Sequence, residues 1–381
     1  MKIGLLSPYY SQNYGTVLQA FALAKAIRNL GSDCEYLQWR RCKPSIINRI
    51  LFFIKHPLFA LDLRRKKSKR KSDLSYNFLN LSDFQLILKK NKEFVDQFTP
   101  VSTQQYYLDT LKNTSQYYDR FIVGSDQTWS PNDMYRFSPY YLFFLGDDSK
   151  KFSYAASMGT LYLPQEYLSY ISKRLAKFNK LSCRDEKNTR VLSNLLKRDV
   201  EHVVDPTLLL NRDEWKKYMQ PVEMPTDYIL CYRLGEKKCI NDYAEFLGRE
   251  KNIPVYYIET RPDTYDSQNV LKGIGVREFL WLIDHCRYMV TDSYHGTIFS
   301  LNFAKNVVSF DKRDGIMFDN GRIFDVLSSY NIAEHYFQEF KEFIPTDIDF
   351  ASLNSALSER RHSSFSYLKD VISNNLSLIH I

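Results

Sequence analysis

The sequence predicts an α/β fold with two Rossmann-like domains that face each other across a cleft. Short apolar strand patterns alternate with helical patterns from residue 1 to about 205, and a second alternating series runs from 227 to about 310. Such alternation is typical of parallel sheets covered by helices on both faces. The chain has 381 residues. A single hydrophobic core rarely supports a chain of this length, so two domains are expected.

The first domain is placed at residues 1–210. An apolar strand pattern at Lys2–Leu6 precedes a polar loop and a helical pattern over 16–30, which Gly31 ends. Further strand patterns end near Val123, Ala156 and Cys183, and each is followed by polar or small residues. Residues 43–100 interrupt this alternation and are interpreted as an insertion.

The second domain is placed at residues 227–350, after a proline-containing connector at 211–226. Strand patterns at 227–232, 255–258, 288–291 and 307–310 alternate with helical patterns at 240–249, 276–286 and 297–304. The helical segment 351–381 is expected to pack back on the first domain.

Composition excludes several classes of protein. The six cysteines have no Cys-x-x-Cys pair and no zinc-like spacing with histidine, so neither a metal site nor a disulfide framework is expected. No glycine-rich phosphate loop follows a strand, so dinucleotide and ATP use lack support. A strand pattern begins at residue 2 and no long apolar run occurs, and we therefore expect a cytoplasmic protein.

The positive charge is concentrated in one segment. The chain carries 52 basic and 44 acidic side chains, a net charge of +8, and residues 64–71 alone hold seven of the basic ones. An apolar stretch at 46–61 precedes this run. Together, Ile46 to Lys71 have the composition of a peripheral contact with an anionic membrane, such as the inner face of the plasma membrane. A packed helical hairpin followed by a solvated loop is the alternative, and no nucleic-acid reading motif is present.

A polar turn at residues 292–296 joins a strand pattern to a helical pattern and contains His295. Ligands of open α/β sheets bind at such carboxyl strand ends, where the helix start offers free N–H groups to an anion. Imidazole exchanges protons near neutral pH, so His295 is the best catalytic acid or base candidate, and phosphate binding is its alternative role. Asp292 is interpreted either as a helix cap or as a residue that orients His295.

Other candidates follow the remaining strands. Asp126, after Ser125, could deprotonate an acceptor hydroxyl or cap a turn. Arg184 could bind an anion through two hydrogen bonds, or could pair with the acidic residues that follow it. Asn13 and Gly15, at the start of the first helix, suit ligand contact but are also common turn residues.

Five short motifs, taken together and in this order, resemble those of the polysaccharide pyruvyl transferase family over most of the chain. They are Asn13-Tyr14-Gly15 with Val17-Leu18-Gln19-Ala20, Val123-Gly124-Ser125-Asp126-Gln127, Tyr154-Ala155-Ala156-Ser157, Asp205-Pro206-Thr207 and Asp292-Ser293-Tyr294-His295-Gly296. The family moves a pyruvyl group from phosphoenolpyruvate to a sugar hydroxyl pair as a cyclic ketal. The resemblance implies a glycosyltransferase-B-like layout, a donor site on the second domain, an acceptor site on the first, and no cofactor besides the donor substrate.

The same resemblance suggests the binding residues. Arg184 stands where a substrate arginine of the family is expected, and Ser293 and Gly296 belong to the histidine motif. Some members have an arginine where this chain has Ser293, whereas a second branch has a small polar residue. Arg322 follows the histidine motif and is a candidate to replace the missing charge.

The expected acceptor is a glycan or a lipid-linked oligosaccharide that belongs to a surface polysaccharide. The alternative functions are a glycosyltransferase of the same layout that uses a nucleotide sugar, and a binding protein without turnover. The identity of the released product separates these hypotheses.

Overall fold

The computed structural model describes residues 1–40, 81–131, 139–160, 163–235, 237–260, 269–311 and 321–373. Within these ranges the predicted fold class is confirmed: the chain forms two α/β domains, each built on a parallel sheet. The apolar and basic segment 46–71, predicted to contact membranes, lies outside the described residues. None of the described helices combines the length and apolar character needed to cross a bilayer.

Among the described residues, the N-terminal sheet has five parallel strands in the order β3-β2-β1-β4-β5. Their bounds are Lys2–Leu6 (β1), Asp33–Arg40 (β2), Val101–Tyr107 (β3), Arg120–Val123 (β4) and Lys151–Ser153 (β5). A short parallel pair, Ser182–Cys183 (β6) and Glu201–His202 (β7), continues beyond β5 through single bridges. The strand order reverses between β1 and β4, as in a Rossmann fold.

The C-terminal sheet repeats this order and, in the part of the chain that the structure describes, has six parallel strands, β10-β9-β8-β11-β12-β13. Their bounds are Ile229–Tyr232 (β8), Val255–Ile258 (β9), Val270–Leu271 (β10), Tyr288–Thr291 (β11), Asn306–Phe310 (β12) and Tyr336–Phe337 (β13). Here the order reverses between β8 and β11. Because β11 is buried along its whole length, its sequence is continuously apolar up to Thr291.

Ten α-helices connect and cover the two sheets within the described part of the chain. Their bounds are Tyr14–Asn29 (α1), Leu81–Phe98 (α2), Gln165–Leu175 (α3), Glu186–Leu196 (α4), Arg212–Lys216 (α5), Cys239–Lys251 (α6), Val276–His285 (α7), Tyr294–Asn302 (α8), Gly321–Ser329 (α9) and Phe350–Ser373 (α10).

Helix α1 is the central helix of the molecule. Its side chains are buried around nearly the whole circumference, as expected of a helix without a polar face. One side covers the N-terminal sheet, where Tyr36 Oη donates to the Ala20 carbonyl over 3.0 Å. On another side Phe21 packs against Trp215 of α5, with ring centroids 5.6 Å apart. The start of α1 is thereby fixed between the domains.

Helix α2 lies in the segment that the sequence suggested to be an insertion. It connects the parallel strands β2 and β3, so residues 81–98 belong to the regular alternation of the domain. Phe94 packs on Phe21 of α1 with centroids 5.2 Å apart. Polar residues of α2 also reach the C-terminal domain, where Lys90 pairs with Glu278 at 2.5 Å.

The connector and the last helix tie the domains together. Within residues 211–226, a capping box of Asn211 and Glu214 begins α5 and places Trp215 in the core. Helix α10 lies against the N-terminal domain: Tyr367 Oη donates to the Ser153 carbonyl over 2.9 Å. The chain therefore crosses between the domains at the connector and returns to the N-terminal domain with α10.

Candidate functional site

The candidate site lies where the carboxyl ends of the two sheets meet. The loop after β4 and the segments after β6 and β7 contribute residues from the N-terminal domain. The first turn of α8, which follows β11, contributes His295 from the C-terminal domain. Strands β4 and β11 each lie beside the point where their sheet reverses its order. This is the position at which ligands bind in open α/β sheets.

A chain of hydrogen bonds fixes the turn before His295. Thr291 Oγ1 donates to the Tyr232 carbonyl over 2.6 Å and accepts from Ser293 N over 3.0 Å. Ser293 is the N-cap of α8, and its Oγ accepts from Gly296 N over 3.2 Å. The Ser293 hydroxyl thus has a structural role, and its contact with a donor stays a prediction. His295 is only 8% exposed.

Asp292 has a role that the sequence did not suggest. Its two carboxylate oxygens accept hydrogen bonds from Leu234 N and Gly235 N, at 2.6 and 2.5 Å. The side chain therefore ties the loop after β11 to the loop after β8. Neither of the interpretations drawn from the sequence, a cap of α8 or a support for the imidazole, included this contact.

Gly15 contacts His295 directly across the cleft. A Cβ atom at residue 15 would lie 2.0 Å from His295 Nδ1 and 2.3 Å from its Cγ, far inside any real contact distance. Asn13 is the N-cap of α1, and its Oδ1 accepts from Gly15 N over 3.0 Å. The N-termini of α1 and α8 consequently meet at the imidazole, and both add positive potential there.

Arg184, Asp205 and Ser125 form a buried cluster beside His295. Arg184 Nη1 donates to Asp205 Oδ2 over 2.6 Å and to Ser125 Oγ over 3.0 Å. Ser125 Oγ in turn donates to the same carboxylate oxygen over 3.0 Å. His295 Nε2 lies 3.7 Å from Asp205 Oδ2, an electrostatic contact rather than a hydrogen bond. The acidic partner of Arg184 is therefore Asp205 and not its sequence neighbour Asp185.

The charges of this cluster stabilise one another. Burial lowers the pKa of Arg184, but the Asp205 carboxylate, together with Tyr294, Asp185 and Asp126, outweighs this effect and raises the pKa above its ordinary value. Burial likewise disfavours the Asp205 anion, yet the nearby His295 ring, the Arg184 guanidinium and the Thr207 backbone lower the pKa of Asp205 far below its usual range. The Arg184–Asp205 pair is thus ionised at neutral pH.

Arg322 places a second guanidinium near that of Arg184, in a cavity that residues of both domains line. The guanidinium carbons of Arg184 and Arg322 lie 4.6 and 5.5 Å from the centroid of the Tyr294 ring. Burial lowers the pKa of Arg322. The Nε atoms of both arginines are buried and have no hydrogen-bond partner among the described residues. Two N–H donors are thus available to an anion in a cavity lined by both domains.

Asp126, in the loop after β4, has an unusual backbone conformation. Its φ of 75° is in the left-handed region, which aspartate tolerates better than most residues. Oδ2 accepts from Thr16 Oγ1 over 2.8 Å, and Oδ1 accepts from Gln127 N. Its charge acts on both Arg184 and Arg322. A contact with an acceptor hydroxyl stays a prediction.

The structure therefore brings most of the predicted residues together. Gly15 contacts His295, and Asp205 connects His295 to Arg184 and Ser125. Arg322 lies in the cavity with Arg184. Asn13, Ser293 and Gly296 shape the two helix starts instead. Asp205 was not among the predicted site residues, although its motif was among those that carry the family resemblance. Within the described ranges, no group of three His, Cys, Asp or Glu side chains is arranged to hold a metal ion.

Comparison with known proteins identifies the family. The model of the polysaccharide pyruvyl transferase family matches residues 13–312, which include every motif discussed above. The chain belongs to this family. It is thereby assigned to transferases that modify polysaccharides. None of the curated proteins is significantly similar to it in sequence.

Several solved structures resemble the chain in overall shape. UDP-GlcNAc 2-epimerase of Methanocaldococcus jannaschii is 10% identical, with a TM-score of 0.48 over 94% of this chain and 92% of that one. The enzyme of Neisseria meningitidis bound to UDP-GlcNAc is 10% identical, with a TM-score of 0.49 over 98% and 95%. ADP-heptose lps heptosyltransferase II of E. coli is 11% identical, with a TM-score of 0.38 over 94% and 99%. Similarity at this level says nothing about substrate or reaction.

Proposed function

We propose that this member of the polysaccharide pyruvyl transferase family transfers the pyruvyl group of phosphoenolpyruvate to a hydroxyl pair of a sugar. The product is a cyclic ketal on a surface polysaccharide or on its lipid-linked precursor. The observation that best supports this proposal is the pair of buried guanidiniums, Arg184 and Arg322, which line one interdomain cavity and lie over the ring of Tyr294, the residue before His295. Phosphoenolpyruvate is small and carries two anionic groups, a carboxylate and a phosphate.

The chemistry requires a proton donor and anion contacts. Protonation of the methylene carbon makes the neighbouring carbon cationic, and a first sugar hydroxyl then adds to that carbon. Phosphate leaves as the second hydroxyl closes the ring. Of the two hydroxyl protons, one balances the proton that the methylene carbon takes up, and the other leaves with phosphate. No oxidant or other co-reactant is needed.

The residues of the site suit these steps. His295 would transfer a proton or bind the phosphate through its N–H, while Arg184 and Arg322 would hold the donor anions in planar geometry. Arg322 would thereby compensate for Ser293, which stands where some members of the family have arginine. In this proposal, Ser125 and Asp126 of the N-terminal domain would contact an acceptor hydroxyl.

Thermal stability with added ligands tests the proposal first. Phosphoenolpyruvate, inorganic phosphate and UDP are compared on wild type and on His295→Ala, because a ligand that binds only the folded state raises the melting temperature. We expect phosphoenolpyruvate to give a larger shift than phosphate in the wild type, and a smaller one in the variant. A shift with UDP alone would contradict the proposal and favour a nucleotide-sugar glycosyltransferase.

Turnover then separates an enzyme from a binding protein. Phosphate release from phosphoenolpyruvate, measured with a panel of oligosaccharide acceptors, is expected to depend on an acceptor and to be lost in His295→Ala. A product heavier than the acceptor by one pyruvyl ketal identifies the reaction. Binding of the donor without release against any acceptor would favour a protein that has kept the fold and lost the chemistry.

A further inference from the structure

Asp205 uses its two carboxylate oxygens for different purposes. Oδ1 accepts from Thr207 N and Thr207 Oγ1, at 3.0 and 2.8 Å, and so fixes the turn that follows β7. Oδ2 faces the site, where it accepts from Arg184 and Ser125 and lies near His295. The side chain is completely buried, so neither oxygen exchanges its partners for bulk water.

The contact with Asp205 determines which edge of the Arg184 guanidinium is available. Nη1 is occupied by Asp205 and Ser125. The opposite edge, formed by Nε and Nη2, remains, and Nε is buried without a hydrogen-bond partner in the described part of the chain. Two parallel N–H groups on one edge match the oxygens of a carboxylate or phosphate.

We infer that Asp205 is a positioning residue, which locks Arg184 so that its Nε and Nη2 edge meets the donor anion beside His295. This inference rests on the proposed function and deepens it. Asp205 itself does not touch the donor. It acts through Arg184, while its contact with His295 links the anion site of the N-terminal domain to the imidazole of the C-terminal domain.

Only a carboxylate satisfies all of these donors. Both oxygens of an ionised aspartate are acceptors, whereas an amide has one acceptor and one donor group. In Asp205→Asn, either Thr207 or the pair of Arg184 and Ser125 would face an NH₂ group. The variant also removes one negative charge near an anion site, which by itself would tighten anion binding. A positioning role predicts weaker anion binding, whereas the loss of the negative charge alone predicts tighter anion binding. The direction of the change in affinity therefore distinguishes the two.

Equilibrium binding of inorganic phosphate and of phosphoenolpyruvate, measured by calorimetry, tests the inference without requiring turnover. We expect Asp205→Asn to bind both anions at least about tenfold more weakly than wild type, a loss typical of residues that orient a ligand-binding group. Affinity that is unchanged or tighter would overturn the inference. Asp284→Asn is the matched control, because Asp284 is also a buried carboxylate and pairs with Arg212, outside the site. It is expected to keep wild-type affinity despite a loss of stability.

Asp205→Glu provides a second variant if Asp205→Asn fails to fold. It keeps the charge and both acceptors but moves the carboxylate by about one carbon–carbon bond, about 1.5 Å. The inference predicts weaker anion binding here too, and wild-type affinity would overturn it. Failure of the proposed function has a different signature. Wild type would then bind phosphate and the Asp205 variants would not, while no protein released phosphate from phosphoenolpyruvate.

Discussion

Gly15 and His295 touch across the interdomain cleft. Gly15 lies in the first turn of the central helix α1 of the N-terminal domain, and His295 lies in the first turn of α8, which follows β11 in the C-terminal domain. A Cβ at residue 15 would lie within 2.6 Å of three ring atoms of His295. The absence of a side chain at Gly15 is therefore a condition for the observed position of the imidazole.

Gly15→Ala is predicted to reduce activity much more than stability. The added methyl group must displace the imidazole or separate the helix starts, and a displacement of about 1 Å can reduce the rate about 100-fold. Phosphate release from phosphoenolpyruvate measures the effect. Gly146→Ala is the matched control, because a Cβ at Gly146 would meet no atom within 4 Å. Equal activity of the two variants would show that His295 does not need its observed position.

Arg322→Ala is predicted to raise the KM for phosphoenolpyruvate at least about tenfold. Loss of one charge-assisted hydrogen bond costs about 1.5–3 kcal/mol, and 1.4 kcal/mol corresponds to a factor of ten. Steady-state kinetics at saturating acceptor measure the change. Arg190→Ala serves as the control, since its side chain is 74% exposed and pairs with Glu186 on the same helix surface. An unchanged KM in Arg322→Ala would remove Arg322 from the donor site.

The sequence predicted the fold because the central strands β1, β4, β8 and β11 are largely apolar and each is followed by polar or small residues. Strand β11 and the turn before His295 illustrate this: burial on both faces requires the apolar run, and the reversal of strand order places the turn at the cleft. Helix α2 was harder to recognise. Residues 43–100 were interpreted together as an insertion, although Ile87, Asn91, Phe94 and Val95 are buried at helical spacing.

The contacts of the site could not be predicted from sequence. Arg184 is followed at once by two acidic residues, yet it pairs with Asp205, which is 21 residues away. Asp292 binds Leu234 N and Gly235 N on a neighbouring strand end. Such pairs depend on the lateral order of strands, which no local pattern specifies. The contact between Gly15 and His295 depends further on how two domains are oriented.

Asp205 is predicted to stabilise the fold most strongly at neutral pH. Its pKa is lowered in the folded state, so its contribution is complete above the pKa of the unfolded chain, about 3.9, and is lost as the pH falls toward the folded value. The free energy of unfolding of wild type should therefore exceed that of Asp205→Asn by more at pH 7 than at pH 3. Urea titrations of both proteins at the two pH values measure these free energies of unfolding. A larger difference between wild type and Asp205→Asn at pH 3 than at pH 7 would contradict the prediction that Asp205 is ionised in the folded state.

Neutral substitution of the basic residues at 64–71 is predicted to abolish most binding to anionic vesicles. Each basic residue near such a surface contributes about 1 kcal/mol, and seven are present in this run. Flotation with vesicles of phosphatidylserine and phosphatidylcholine measures binding, and phosphatidylcholine vesicles alone are the control. Raised salt should also weaken the wild-type interaction. Equal flotation of wild type and the neutral variant would exclude an electrostatic membrane contact by this segment.

Asn91→Ala is predicted to weaken the connection between the domains. Asn91 is fully buried; its Nδ2 donates to the Ser11 carbonyl over 3.0 Å, and its Oδ1 accepts from Val276 N over 3.1 Å. Truncation leaves a backbone acceptor of one domain and a backbone donor of the other without partners, at a cost of about 1–3 kcal/mol. Chemical denaturation measures this loss, with the exposed Asn113→Ala as control. Ser11 lies just before α1, whose first turn contains Gly15, so the variant should also release phosphate more slowly. Wild-type activity at reduced stability would show that this contact does not influence the site.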